Sequence, residues 1–593
     1  MTVLALAACG RLSPDGNAPA QQPLGGAEAA AFEGAGVSSS AIAISPNRDW
    51  LAAVNPDSGS VSLLSLPGLE LRREINVGPD PRTLTFSADS KRLYVPNFDG
   101  GLVTVLDVEQ GVKTAEYRVG PMPYAAMEHR GIVYVTEYAL GRLGVYQART
   151  GKLEASLPLE ANPTGLGLDP DAGRLYVTHF FSGRVSLIDL SDLSVEAVIS
   201  TGRETGLSQF IFMDVTAGKA YLPQTRSNVT NPALVFDATV FPMVNVVDLA
   251  SGSLTREERI SLDFGDRSVN MPFAVAVDKA RRVLMAANAG SNDVSVIDLP
   301  SGKQLARLEV GANPRGIVFD PLTERAYVDN VLDGTISVID LRDLAVVQTK
   351  RVTEIPLDPQ VLLGKKLFHY ARVPDLTTDR WISCAVCHFD GGMDGRTWFG
   401  FPDGPRNTPA LFGVGRTLPL HWSGDLDELQ DVELTIRNIQ AGTGLVEGEA
   451  FDTLGPPHAG LSEELDALAA FMASLEVPLS PYPIPPTEFR RGELVFSQLG
   501  CATCHTPPLY TDRQLHDVGT GNPQLERNSH GRGTRFDTPS LLGIWATAPY
   551  FHDGSAAILV DVLGMGNEHD VAERIGERDL RYLLYFLRAL PNE

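Results

Sequence analysis

Two short motifs carry the clearest chemistry in the sequence. One reads Cys-Ala-Val-Cys-His at residues 384–388, and the other reads Cys-Ala-Thr-Cys-His at residues 501–505. In this pattern two thiols bond to the edge of a porphyrin, and the histidine that follows binds its iron as an axial ligand. The motifs therefore predict two covalently attached c-type haems, each with one axial histidine: Cys384, Cys387 and His388 at the first site, and Cys501, Cys504 and His505 at the second.

Other uses of paired cysteines fit this sequence less well. A zinc ribbon places its second pair about 15–20 residues after the first, whereas the second pair here begins only at Cys501. A thioredoxin-like pair needs no histidine after it, yet both motifs have one. The chain has 5 cysteines in 593 residues, too few for a disulfide framework.

The N-terminal residues resemble the end of a bacterial lipoprotein signal. Leu6-Ala7-Ala8-Cys9 reads as a lipobox, although the charged segment that normally opens a signal is missing, so we expect the true start to lie upstream. A lipid on Cys9 would tether the protein to a membrane surface without crossing it. The alternative is an ordinary frayed terminus. We interpret residues 1–9 as a signal remnant and the Gly-, Ala- and Pro-rich residues 10–37 as a flexible linker.

Composition limits the classes of function. The formal net charge is −24, with 43% hydrophobic and 21% charged residues, which is typical of a globular protein. No basic stripe is present, so we expect no nucleic-acid partner. No apolar run approaches the length of about 18 residues that spans a membrane.

A repeat of about 40 residues occupies residues 38–352. Its clearest copies contain Leu-Tyr-Val at 93–95 and 175–177 and Ala-Tyr-Val at 326–328, each followed by an apolar run that ends in aspartate. Short alternating runs between Gly, Asp, Asn and Pro turns are typical of strands, and four strands per repeat indicate a propeller blade. Seven copies predict an all-β, seven-bladed propeller that resembles the YVTN family. Residues 223–243 expand the fifth copy, and we expect this insertion to contact the second half of the protein.

The remaining residues predict two small, mainly α-helical haem domains, at 355–480 and 487–593. Ser462 and two glutamates precede the apolar positions of one amphipathic helix, and four leucines between 580 and 587 mark another. The proline-rich residues 478–486 read as a stiff linker between the two domains. The predicted fold class is therefore multidomain, a propeller followed by two cytochrome c-like domains.

From about residue 360 the chain resembles the bacterial dihaem cytochrome c peroxidase and MauG family. The motifs that carry the resemblance are Leu-Gly-Lys-Lys-Leu-Phe at 363–368, His-Trp-Ser-Gly at 421–424 and Thr-Ala-Pro-Tyr-Phe-His-Asp-Gly-Ser at 547–555. The resemblance implies that Trp422 lies between the haems as an electron relay. It also implies a calcium ion bound by Asn407, Thr547 and Pro549, whose oxygens suit this hard cation.

The sequence departs from the family at two places. The peroxidases have Gln and a catalytic Glu where this chain has Val432 and Gly442, so peroxidase activity is in doubt. Glu447 and Glu449 are the nearest carboxyls in sequence. The family also supplies a Met or Tyr ligand to the second haem, where this chain has Gly566.

The resemblance leaves the distal ligands of both haems open. At the second haem, Met565 becomes the distal ligand if one residue is deleted, and His569 is the alternative. At the first haem, His421 is the leading candidate, with Met393 or an open position as alternatives.

The leading functional hypothesis is an extracytoplasmic dihaem oxidoreductase, in the bacterial periplasm or at the cell surface. Its partners would be a small cytochrome or cupredoxin as electron donor and hydrogen peroxide or another oxidant, and the propeller would serve as a docking platform. One alternative is a non-enzymatic electron-transfer protein whose propeller binds a redox partner. The other is a cell-surface binding protein in which the haems are secondary.

Overall fold

The computed structural model describes residues 37–263, 268–527, 531–571 and 574–591. Seven antiparallel sheets form seven consecutive blades, numbered here in chain order. The prediction of a seven-bladed propeller followed by helical domains is confirmed. Among the described residues, none of the helices combines the length and the apolar character that crossing a bilayer requires.

The strands of the first four blades follow one another along the chain. Blade 1 contains β1 (Ile42–Ile44), β2 (Trp50–Asn55), β3 (Ser60–Ser65) and β4 (Glu70–Asn76). Blade 2 contains β5 (Thr85–Phe86), β6 (Arg92–Asn97), β7 (Leu102–Asp107) and β8 (Val112–Arg118). Blade 3 contains β9 (Pro123–His129), β10 (Ile132–Glu137), β11 (Arg142–Gln147) and β12 (Leu153–Pro158). Blade 4 contains β13 (Pro163–Asp169), β14 (Arg174–His179), β15 (Val185–Asp189) and β16 (Ser194–Ile199).

The last three blades include the expanded fifth blade. Blade 5 contains β17 (Thr205–Gly206), β18 (Phe212–Asp214), β19 (Lys219–Ser227), β20 (Val240–Asp248), β21 (Ser253–Leu254) and β22 (Ile260–Ser261). Blade 6 contains β23 (Pro272–Asp278), β24 (Val283–Asn288), β25 (Asp293–Asp298) and β26 (Lys303–Glu309). Blade 7 contains β27 (Pro314–Asp320), β28 (Arg325–Asn330), β29 (Thr335–Asp340) and β30 (Ala345–Arg351).

The repeated Tyr-Val segments lie on the second strand of a blade. In β6, β14 and β28 every residue after the first is buried, because both faces of a blade pack against neighbouring blades. The outer strand β4 is mostly exposed instead. The apolar residues of the repeat therefore lie on the strands that are buried on both faces.

The insertion in blade 5 reaches the first haem domain, as predicted. Strands β19 and β20 extend to nine residues each, and the loop between them bears Val229. The backbone N–H of Phe399 donates to the carbonyl of Val229 at 2.9 Å. Val229 also packs, with Leu234 and Phe236, against an apolar cluster that the propeller shares with the haem domain.

Seven helices and two short strand pairs follow the propeller in the part of the chain that is described. The helices are α1 (Pro359–His369), α2 (Cys384–Cys387), α3 (Val432–Asn438), α4 (Glu463–Ala473), α5 (Pro486–Gln498), α6 (Leu559–Val562) and α7 (Glu577–Arg588). The strands are β31 (Thr397–Trp398) with β32 (Arg406–Asn407), and β33 (Leu515–His516) with β34 (Phe536–Asp537). Ser462 caps α4 by accepting a hydrogen bond from the Leu465 N–H, as its sequence predicts.

The two haem domains repeat one helix pairing. α1 packs on α4 in the first domain, and α5 packs on α7 in the second. Each pair meets at a glycine: a Cβ at Gly364 would lie 1.8 Å from the Ala467 carbonyl oxygen, and one at Gly492 would lie 2.1 Å from that of Tyr582. Only glycine permits this approach in either domain.

Candidate haem sites

The first motif lies at the boundary between the propeller and the first haem domain. Ser383, which precedes α2, donates through Oγ to Asn270 Oδ1 of the propeller at 2.9 Å. Between the cysteines, Ala385 and Val386 are buried in the shared apolar cluster. Neither Cys384 nor Cys387 forms a disulfide, and burial raises the pKa of both thiols. The motif is thus enclosed by two domains.

His388 directly follows α2, and its N–H donates to the Cys384 carbonyl at 2.9 Å. Burial lowers the pKa of His388 to about 4, and the nearby His421 contributes to the shift by charge repulsion. The imidazole is therefore neutral near pH 7 and has a lone pair to offer a metal. Two free thiols and a neutral imidazole form a donor set that fits a haem c.

The second motif has the same chemistry in a more open setting. Cys501–Thr503 form a short 3₁₀ helix, in which Thr503 is exposed. His505 Nδ1 lies 3.1 Å from the carbonyl oxygen of Tyr510. With a proton on Nδ1 donated to that carbonyl, Nε2 is left as the ligand atom, a common arrangement for metal-binding histidine. Burial lowers the pKa of His505 to about 4.

The two residues predicted to face His505 lie in different surroundings. The ring centre of His569 is 6.3 Å from that of His505. Two imidazoles bound to one iron, with bonds of about 2 Å on each side, would have ring centres roughly 6 Å apart. Met565 is 43% exposed to solvent. The geometry therefore favours His569 over Met565 as the partner of His505.

The distal residues considered for the first site are also separated. His421 is partly exposed, and its Nδ1 lies 3.0 Å from Asp425 Oδ1. The charge of His421 contributes to lowering the pKa of His388. Met393 is buried at 5% exposure. Both choices, and an open distal position, remain predictions.

Trp422 lies where the two haem domains meet. Its ring centre is 6.4 Å from that of His552, in an edge-to-face arrangement. Two backbone bonds flank this contact: the Asn407 N–H donates to the His552 carbonyl at 2.6 Å, and the Asp537 N–H donates to the Trp422 carbonyl at 2.8 Å. Each domain thus donates one backbone hydrogen bond to the other beside this contact.

Sequence reasoning did not assign His552 a role, although a signal was available. Asn407-Thr408-Pro409 precedes Trp422 at the same spacing at which Asp537-Thr538-Pro539 precedes His552. Reading these segments as a duplication would have paired Trp422 with His552. His552 is held by Glu526 Oε1 at 3.0 Å from its Nε2.

The structure brings together two of the three residues predicted to bind calcium. Asn407 Nδ2 is 2.6 Å from the Pro549 carbonyl oxygen, while Asn407 Oδ1 is buried without a partner. Turning this amide by 180° would place two oxygens side by side, and a cation would then be needed between them. The Thr547 hydroxyl donates to the Ile544 carbonyl at 3.3 Å. The donor chemistry fits a hard cation.

Three carboxyl groups lie near the positions that correspond to the family's catalytic residues. One is already paired inside the protein, and the other two are exposed to solvent. Glu433 is fully buried, where it accepts hydrogen bonds from the N–H groups of Leu445 and Val446 and pairs with Arg437. Glu447 and Glu449 are exposed. Glu433 is therefore committed to holding its loop. The predicted lipid site, Cys9, lies outside the described residues.

Comparisons with known proteins find similarity in the region that contains these candidate sites. A family model described as RoxA-like, cytochrome c-like matches residues 536–568. The methylamine utilization protein MauG of Methylorubrum extorquens is 28% identical over 40% of this chain and 80% of its own length. The cytochrome c peroxidase Ccp of Escherichia coli is 25% identical over 40% of this chain, and the alignment covers 59% of that protein. The cytochrome c551 peroxidase of Pseudomonas aeruginosa is 26% identical over 41% of this chain and 83% of its own length.

The fold and these matches define a multidomain protein with a β-propeller followed by a cytochrome c-like region. More specifically, the C-terminal region is similar to MauG and to the bacterial cytochrome c peroxidases, and the chain joins a seven-bladed propeller to this region. The resemblance predicted from the sequence motifs is confirmed.

Proposed function

We propose that this protein is a dihaem c-type oxidoreductase that works outside the cytoplasm and passes electrons between its two haem sites. The observation that carries the proposal is the contact between Trp422 and His552, which joins two domains that each hold a Cys-x-x-Cys-His motif. An aromatic contact at this boundary gives an electron a short path from one domain to the other.

The residues of each motif would hold one haem c, which supplies a one-electron redox centre when bound. Cys384, Cys387 and His388 would form the first site. Cys501, Cys504 and His505 would form the second, with His569 as its distal ligand because the two ring centres lie 6.3 Å apart. Two histidines would leave no free position on the second iron, which suits electron transfer rather than substrate binding.

We assign electron entry to the second site. Thr503 between its cysteines is exposed, whereas Ala385 and Val386 between the first pair are buried. A small cytochrome or cupredoxin could approach the second motif directly, and the propeller would help to dock it. The first site, enclosed by two domains, would be where the oxidant reacts.

Hydrogen peroxide is the first oxidant to test. The experiment adds peroxide to the half-reduced protein and follows the Soret band. Rapid oxidation supports the enzyme, whereas two six-coordinate haems that do not react support the electron carrier. The His421→Ala variant sharpens the result, because removal of a distal ligand would accelerate the reaction only if His421 occupies that position.

A non-enzymatic electron-transfer protein is the second candidate. The observation that favours it is the state of the local carboxyls: Glu433 is committed to its loop, and Glu447 and Glu449 are exposed. Cleavage of a bound peroxide would then lack its usual acid–base group.

We further propose a calcium ion at Asn407, Thr547 and Pro549. The supporting observation is the buried, unpartnered Oδ1 of Asn407 beside the Pro549 carbonyl. Chelation by EGTA should lower the thermal stability of the wild type but not that of Asn407→Ala. An equal loss in both proteins would contradict the site.

The proposed location is the bacterial periplasm or cell surface, with a lipid on Cys9. Haem attachment of this type takes place outside the cytoplasm, which supports the location. Radiolabelled palmitate should enter the full-length wild type and not Cys9→Ser. Equal labelling of both would contradict lipidation at Cys9.

A further inference from the structure

Asp390 connects the first haem motif to the axis of the propeller. It lies two residues after His388, in a turn where its φ is 49°. The backbone N–H of Gly391 closes this turn by donating to the His388 carbonyl at 3.0 Å. Any group that fixes the Asp390 carboxylate therefore also fixes the backbone of the axial histidine.

Arginine residues from two blades of the propeller meet this carboxylate. Arg315, on β27 of blade 7, is 9% exposed and lies with Nη1 and Nη2 at 3.0 and 2.5 Å from the two Asp390 oxygens. This bidentate pairing is the strongest geometry available to an arginine and a carboxylate. Arg82, which precedes β5 of blade 2, reaches to 3.9 Å from Asp390 Oδ2.

His369 contributes a third donor from the haem domain. Its Nδ1 lies 2.8 Å from the Lys365 carbonyl oxygen, and its Nε2 lies 3.0 Å from Asp390 Oδ1. Both ring nitrogens therefore lie within hydrogen-bond distance of oxygen atoms. The side chain is 1% exposed. Asp390 is thus held from both sides of the domain boundary.

The cluster lies where the inner strands of the propeller converge. Arg82, Tyr124, Phe273 and Arg315, from blades 2, 3, 6 and 7, line a cavity of about 10 Å³ there. Arg315 also lies over the ring of Phe389, with 5.2 Å between Cζ and the ring centre. The same arginine therefore holds two consecutive residues of the turn after His388, by charge and by cation–π contact.

We propose that Arg315 and Arg82 are positioning residues of the first haem site, through which the propeller fixes the His388 turn and sets the reduction potential of that haem. The inference rests on the proposed haem at residues 384–388. It gives the propeller a role in tuning the redox site, beyond docking. Buried charges act over short distances with little screening, so each should affect the potential in the direction of its sign.

The test is a spectroelectrochemical titration of the full-length holoprotein, in which the two haems are followed separately. Reduction adds negative charge, so Arg315→Gln should lower the potential of the first haem and Asp390→Asn should raise it. We expect each shift to be about tenfold in the one-electron equilibrium constant, which is roughly 59 mV. The second haem should keep its potential.

Two further variants separate charge from structure. Arg315→Lys keeps the cation and should hold the potential close to that of the wild type. Arg174→Gln is a matched control, because Arg174 pairs with Glu196 at 2.6 Å on the outside of blade 4. It should shift neither haem. If Arg315→Gln does not fold, Asp390→Asn still tests the sign, because it alone must raise the potential of the first haem.

Shifts of the same direction in Arg315→Gln and Asp390→Asn would overturn the inference. They would show that the potential responds to a structural disturbance of the site and not to the sign of the charge removed. Unchanged potentials in both variants would also overturn it, although the haem itself would stand. A wild type without haem at residues 384–388 would overturn the proposed function together with the inference.

Discussion

The two haem sites share one motif but not one environment. The first is enclosed between propeller and haem domain, and its apolar cluster includes Phe180 and Ala289 of the propeller as well as Phe389. The second belongs to a separate cluster built from α5, α6 and α7, with Phe496 and Phe586 near its centre. The same local chemistry is therefore placed once inside the molecule and once towards its edge.

The two domains are similar in their internal packing and differ in what surrounds their motifs. Helix pairing by Gly364 and Gly492, and the backbone bonds around Trp422 and His552, are equivalent in the two domains. The surroundings of His388 and His505 are not equivalent. At the first site Arg315 of the propeller pairs with Asp390 in the turn after His388, whereas at the second site the ring of His569, from the same domain, lies 6.3 Å from that of His505.

The largest expected effect is on the unfolding temperature of the propeller, which should respond differently when the cysteines of each site are removed. Cys384→Ala/Cys387→Ala should lose one haem and lower the unfolding temperature of the propeller, because the emptied site adjoins their shared core. Cys501→Ala/Cys504→Ala should lose one haem and leave the propeller transition in place. Haem content and thermal unfolding by circular dichroism measure both. If both variants lower the unfolding temperature of the propeller equally, the two sites do not differ in their contact with the propeller.

The next effect concerns ligation at the second site. His569→Ala should convert the second haem from six-coordinate to five-coordinate, with a complete change in its visible spectrum. Met565→Ala is the matched control and should keep the wild-type spectrum, because Met565 is 43% exposed. The reverse pattern would assign the ligand to Met565.

A smaller effect should appear in the pH dependence of stability. Burial raises the pKa of Asp394, beside the first motif, to about 6, above its usual value near 4. The folded state therefore holds this proton more tightly, and the free energy of unfolding should fall as pH rises from about 4 to about 6. The contribution is on the order of 3 kcal/mol, and Asp394→Asn should remove it.

Asp512, beside the second motif, gives the opposite sign and serves as the control. Burial acts to raise its pKa, but the hydrogen bonds from His516, Thr538 and the Gln514 N–H, with the charge of His516, together outweigh burial, so the pKa is lowered. Its contribution is lost as pH falls below about 4, so Asp512→Asn should change only the acid limb. Chemical unfolding from pH 3 to 7 would reveal both. If the free energy of unfolding of Asp394→Asn depends on pH in the same way as that of the wild type, the raised pKa of Asp394 is contradicted.

Several features were predictable because their signals are local. The repeated Tyr-Val segments mark strands that are buried on both faces. Four copies carry Tyr-Val, and divergent copies with similar apolar runs brought the count to seven blades. Ser462 and the apolar positions after it predicted α4, since capping and helical spacing depend only on neighbouring residues. The haem motifs are likewise five consecutive residues.

Other features depend on contacts between distant segments. Arg315 and Asp390 are 75 residues apart, and nothing near either residue indicates the pairing. The choice between His569 and Met565 could not be made from spacing, because a one-residue deletion changes the alignment while exposure and ring position decide the geometry.

The most direct test of the account is the mass of the matured, full-length protein, measured together with its pyridine haemochrome spectrum. We predict a mass equal to the polypeptide with its lipid and two covalently bound haems, and a haemochrome that reports two haems per chain. A colourless protein with the mass of the lipidated polypeptide alone would contradict the central claim.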